Sequence, residues 1–125
     1  MNAILSAGRY LLIVPPLIFG VMHLMSANAM AGMVPIPGGA VWVYITGIAM
    51  IAASLSILIG KYDKLAAALL GLLILIYALS IHLPGVLSSG GTDHGAMGNF
   101  LKDLGLAGGA WIYAAMMAKD KSVIG

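Results

Sequence analysis

The chain has 125 residues, of which 62% are hydrophobic and 8% charged, with no cysteine and a net charge of +2. A soluble domain needs roughly a quarter of its residues charged to cover its surface, so this composition excludes an ordinary water-soluble globule. The small, scattered positive charge excludes a nucleic-acid surface, and the lack of cysteine excludes a structural disulfide, a thiolate metal site and a cysteine redox relay.

A membrane helix needs about 20 apolar residues, because a rise of about 1.5 Å per residue must cover a hydrocarbon core of about 30 Å. The first such segment runs from Ile4 to Met25. Ala27-Asn28-Ala29 after it resembles a signal-peptide cleavage site, but Pro15-Pro16 interrupts the apolar region, so the segment reads as a retained helix. The proline pair frees the carbonyls of Leu11 and Leu12, which membrane helices tolerate. Arg9 lies about one and a half turns into this helix, placed to snorkel to the near surface or to pair with Asp63 or Asp120. A joint from Ser26 to Gly39, with Pro35 and Pro37, leads to a second span from Ala40 to Ile59. Gly60 to Lys64 is a tight polar turn, and the third span runs from Leu65 to Leu83. The stretch from Pro84 to Gly98, rich in Gly and Ser, reads as a loose connection. The fourth span, Asn99 to Ala118, has Asn99 as N-cap, with Lys102 and Asp103 in its first turn near the helix dipole.

These elements predict an all-α fold: a single domain over 1–125 forming an integral membrane four-helix bundle. Lys/Arg bias sets orientation. Arg9, Lys61, Lys64, Lys119 and Lys121 fall on one side and Lys102 alone on the other, which predicts both termini inside and the first and third joints outside. Helices in lipid associate through close packing of small residues and through polar contacts. Gly20, Ala67 with Gly71, Ala49 with Ala53, and above all Gly105-x-x-x-Gly109 are the candidate contact points. Trp42, Tyr44 and Tyr62 sit at span ends as interfacial anchors, whereas Trp111 and Tyr113 lie deeper than anchoring explains.

The three histidines all fall on the predicted outer side. His23 closes the first span, His82 closes the third, and His94 lies in the third joint. Arg9, Pro16, Gly20 and His23 share a face within about 60° on an ideal helix, and Ala67, Gly71, Ala78 and His82 form a similar stripe. Both imidazoles are therefore expected to point inward at similar depth and to converge, with Asn99 and Tyr77 as neighbours. Two such rings suit hydrogen bonding to a quinone, since imidazole donates a bond and moves the accompanying proton. Axial haem ligation ranks below that, and copper held with Met22, Met25, Met30, Met33 and Met97 ranks lower still, because the ligands form no compact motif. No metal is assigned. Each histidine is equally readable as a polar packing residue bonded to a loop carbonyl. Nothing resembles a nucleophile–base pair, paired carboxylates or a phosphate loop, which excludes an autonomous hydrolase.

The order of these features resembles the DoxX family of small bacterial and archaeal four-helix membrane proteins. The resemblance spans nearly the whole chain. It rests on Arg9, the proline-bearing apolar run and Phe19-Gly20, then Val34-Pro35, Gly47 and Gly60, the Ala-rich start of the third span, His82, and Asn99 through Gly109. It departs at His23, where many relatives carry Lys, and in the second span, where many carry an acidic residue and this chain has Tyr44, Thr46 and Gly47. The resemblance implies a multi-pass inner-membrane protein working beside redox enzymes, since family members include a subunit of a thiosulfate:quinone oxidoreductase.

Three functions follow as expectations. The first is a redox-associated inner-membrane subunit with a quinone or quinol site near the outer face, lined by His23, His82, Asn99 and Tyr77, with Arg9, Gly20, Gly105 and Gly109 structural. The second is a non-catalytic accessory subunit that packs in a larger membrane complex or a homo-oligomer. The third is a small transporter or channel, for which the lack of an acidic residue within the spans weakens proton coupling.

Overall fold

A computed structural model describes residues 2–125, and every regular element in it is helical. Four long helices dominate. A short turn of helix, Asn2–Leu5, leads into α1 (Gly8–Met25). α2 covers Ala40–Ile59. α3 starts at Asp63–Tyr77 and continues through a π-helical turn, Ala78–His82, into Leu83–Ser88. α4 covers His94–Ile112 and ends in a second π-helical turn, Tyr113–Met117. α1 packs on α2, α2 on α3 and α3 on α4.

Three segments are long and apolar enough to cross a membrane: Asn2–Met25, Ala40–Ile59 and Asp63–Ser88. Their outward faces carry Leu11, Ile18, Ile45, Ile48, Leu69 and Leu72, all exposed. A contiguous apolar surface of that kind is what lipid covers. α4, expected as a fourth span, does not reach the same hydropathy. Asn99, Lys102, Asp103 and five glycines dilute it, although Leu101, Trp111, Ile112 and Met116 still face outward.

The connection read as loose is largely helical. α3 runs on to Ser88 and α4 begins at His94, leaving a turn at 89–93. Its cap is Asp93, whose Oδ1 accepts from the Ala96 amide at 3.0 Å, and not Asn99, which lies in the second turn. Pro84 marks the end of a helix in sequence terms, but the π-helical turn carries the chain past it. The Leu83 amide reaches back five residues to the Ala78 carbonyl, and the wider turn relieves the clash a proline ring makes with the turn before it.

The tight seams also differ from expectation. A methyl group on Gly20 would lie 2.6 Å from Ile51 Cγ1 and 2.8 Å from the Gly47 carbonyl; on Gly47 it would lie 2.7 Å from His23 Cβ. Gly20 and Gly47 thus let α1 and α2 touch backbone to backbone, the close approach that small residues permit. Gly71 does the same for the Trp111 indole, whose Nε1–H donates to the Ala68 carbonyl at 3.0 Å. That contact explains an aromatic ring too deep to be an interfacial anchor. Gly105 meets nothing within 4 Å, and Gly109 meets only the tip of Leu12 at 3.4 Å. The inward face of α4 is Asp103, Ala107, Ala110 and Ala114, at helical spacings of 4, 3 and 4. Gly105 lies well off that stripe.

At the opposite end from the histidines a polar clasp joins the second joint to the end of α4. Asp63 has no exposed surface. Its carboxylate accepts from the Tyr113 hydroxyl at 2.6 Å and from the amides of Lys119 at 2.9 Å and Asp120 at 2.8 Å. Asp120 returns the bond, accepting from the Tyr62 amide at 2.7 Å. Hydrogen bonds from Ser122 and from that amide hold the Asp120 carboxyl below its usual range. The exchange fixes Tyr62 at φ 56°, a left-handed conformation uncommon outside glycine. Arg9 pairs with neither aspartate; its guanidinium makes a cation–π contact with the Tyr113 ring, 5.9 Å from the centroid.

Candidate functional site

The site is assembled from all four helices. His23 ends α1 and is buried against Gly47 of α2. Its Nδ1 lies 2.6 Å from the Phe19 carbonyl. A carbonyl only accepts, so Nδ1 carries the proton and Nε2 is left as an acceptor. The Tyr77 hydroxyl, from α3, stands 3.5 Å from that Nε2, and the two rings stack with centroids 6.1 Å apart and 22° between planes.

His82 lies in the π-helical turn of α3, where the widened backbone aims its ring at α4. Its Nε2 is 3.2 Å from Asp103 Oδ2. The other carboxylate oxygen, Oδ1, is 3.6 Å from Lys102 Nζ, whose ammonium also sits 4.3 Å over the Phe19 ring. The Asp103 side chain is only 8% exposed, which is tolerable because two cationic or proton-donating groups face it. It occupies the tenth position of α4, not the first turn, and so supplies the buried carboxylate that the sequence seemed to lack.

His23, Tyr77, His82 and Asn99 all line one cavity of about 590 Å³. His23 contributes from α1 and His82 from α3, and Asn99 is exposed. The walls are apolar: Pro16, Phe19, Met50, Ile74 and Leu106 among others, with Met30, Met33 and Trp42 from the first joint and the start of α2. Trp42 is held by donating to the Pro37 carbonyl at 2.6 Å. Of the five methionines grouped in sequence, only Met30 and Met33 reach this wall. His94 stands apart as the first, exposed residue of α4. Of the four residues expected to be structural, Gly20 forms a helix contact, Arg9 makes a cation–π contact with Tyr113, and Gly105 and Gly109 do not form the tight seam.

Asp103, Lys102 and Phe19 are site residues that the sequence reading did not place here. The signal for Asp103 was present. Asp103, Ala107, Ala110 and Ala114 make a small-residue stripe of the kind used to orient His82. The pair His82–Asp103 fixes one imidazole nitrogen and leaves the other for a ligand. Polar side chains thus stand at two points of a largely apolar chamber.

The fold and the cavity define an all-helical protein with three helices long and apolar enough to span a membrane and a ligand-sized chamber among its helices. Comparison with family models, with curated proteins and with solved structures finds no match.

Proposed function

We propose that this chain is a DoxX-like, multi-pass inner-membrane subunit of a redox-linked complex, with four spans, both termini in the cytoplasm, and a quinone or quinol held in the cavity toward the outer face. The observation that carries the reading is the meeting of His23–Tyr77 and His82–Asp103 on one apolar chamber. A quinol ring fits between Phe19, Ile74 and Leu106. One oxygen bonds to the His82 end and the other to the Tyr77–His23 end. Oxidation of a quinol releases two protons and two electrons. In this reading His82 takes one proton at Nδ1, the nitrogen not turned to Asp103, and the Tyr77 hydroxyl passes the other to His23 Nε2. The electrons pass to a redox partner in the complex. Placing α4 across the bilayer is consistent with its outward Leu101, Trp111, Ile112 and Met116 and with Asp103 turned inward.

The test is extraction of bound quinone from purified protein and, in lipid nanodiscs, titration with an added ubiquinone. The wild type is expected to bind, and His82→Ala and Asp103→Asn to lower occupancy about tenfold or more while inserting normally. A wild type that takes up no quinone in nanodiscs ends the proposal.

An accessory, packing role is favoured by one separate observation. Gly98, Gly105 and Gly108 open onto empty space on the outer face of α4, and such a glycine surface suits another helix, from a partner or a second copy. In that case Gly105→Leu abolishes assembly seen by crosslinking and leaves quinone binding intact.

A further inference from the structure

A second cavity, of about 390 Å³, opens at the opposite end of the bundle from the histidines, between the start of α1 and the end of α4. Its polar lining is Arg9, Lys119, Tyr10 and Ser6, and its apolar wall is Ala3, Ala7 and Met117. Two cations thus face one small chamber, and among the described residues neither has a carboxylate within ion-pairing distance. The two acids nearest in sequence to Lys119 and to the second joint are otherwise engaged. Asp63 is saturated by a hydroxyl and two amides, and Asp120 by the amides of Tyr62 and Ser122.

Arg9 is also held in place. Its guanidinium lies over the Tyr113 ring, and Tyr113 is itself fixed by its bond to Asp63. A cation–π contact uses the charge of the guanidinium and leaves its N–H groups free to donate. Lys119 is held at its backbone, since its amide bonds Asp63, and its stem runs beside Gly60. The Ser6 hydroxyl already donates to the Asn2 carbonyl at 2.7 Å, so the donors available to a ligand are Arg9, Lys119 and Tyr10. A fork of guanidinium N–H groups, an ammonium and a phenol suit a tetrahedral oxyanion.

We infer that this basic chamber binds a phosphate ester, the headgroup of an anionic phospholipid. Arg9 and Lys119 contact the phosphate oxygens, and the acyl chains run along Tyr10 and Met117, both exposed. The position supports a lipid. The chamber lies at the ends of apolar helices, where a headgroup sits, and basic pockets between helices near the cytoplasmic surface take anionic headgroups. The inference is independent of the quinone cavity and rests on the helices crossing a bilayer with this end at the cytoplasmic surface.

The full chain in neutral detergent is titrated with phosphatidylglycerol, with phosphatidylcholine and with inorganic phosphate, and bound adducts are counted by native mass spectrometry. The wild type is expected to hold one phosphatidylglycerol in preference to phosphatidylcholine. Lys119→Gln should weaken it about fivefold and Arg9→Gln with Lys119→Gln about 25-fold, the ratio for one charge contact each. Lys61→Gln with Lys121→Gln, which removes two charges at the same end outside the chamber, should leave the affinity unchanged. Should the double variant at Arg9 misfold, Lys119→Gln alone carries the comparison. Binding of inorganic phosphate alone with the same variant pattern assigns the site to free phosphate as the source of the same chemistry. Equal binding of the two lipids, or equal losses in the two double variants, overturns the site.

Discussion

Asp63 shows how much one carboxylate can organise. The residues after α4 fold over it, and it gathers three donors from 50 to 57 positions away. Removing it leaves the Tyr113 hydroxyl, 4% exposed as a residue, without an acceptor. A buried donor left unpaired costs about 1–3 kcal/mol, while the two backbone amides near the surface find water. Asp63→Ala is therefore expected to destabilise the fold by about 3 kcal/mol and Tyr113→Phe, which removes donor and demand together, by about 1 kcal/mol. Thermal melts in detergent check the order; equal effects of the two changes would show that the phenol, not the carboxylate, holds the clasp. Sequence alone gave Asp63 a place in a polar turn, because its donors come from the far end of the chain and two of them are backbone amides that no residue pattern advertises. His82 and Asp103 were better signposted. Each ends or interrupts a stripe of alanines, and the stripes face each other.

Elements were legible where composition and period decide them, as in α1, α2 and the core of α3. They were misread where backbone geometry decides. Pro84 marks a stop only if the turn before it is an ordinary α-helix, and the π-helical turn at Ala78–His82 removes that condition. A Gly-x-x-x-Gly pattern marks a seam only if the helix is rotated to present it, and the alanines of α4 rotate Gly105 away. The contrast makes a paired prediction. Gly47→Ala drives a methyl into the stem of His23, 2.7 Å away, and into neighbouring backbone. Overpacking of that kind costs about 1–3 kcal/mol, so the variant should melt lower and shift His23. Gly105→Ala meets open space and gains helix propensity, worth up to about 1 kcal/mol. It should melt at or above the parent temperature; the reverse ranking of the two would place the seam on α4 after all.

At the scale of the molecule, the two ends of the bundle are chemically distinct. One end carries the imidazoles and the large cavity, the other Arg9, Lys61, Lys64, Lys119 and Lys121. Positive charge marks the cytoplasmic side, so a cysteine placed at Lys61 should be shielded from an impermeant thiol reagent in intact cells and one at Ser89 should react. Labelling at position 61 from outside inverts the orientation and moves the large cavity to the cytoplasmic face. The clasp then has a consequence for the order of synthesis. Asp63 leaves the ribosome 56 or 57 residues before the amides that satisfy it. Until Lys119 and Asp120 emerge, its charge must rest in headgroups and water at the foot of α3. α3 is thus free to settle before α4 is complete, and the bundle locks only when the tail folds back.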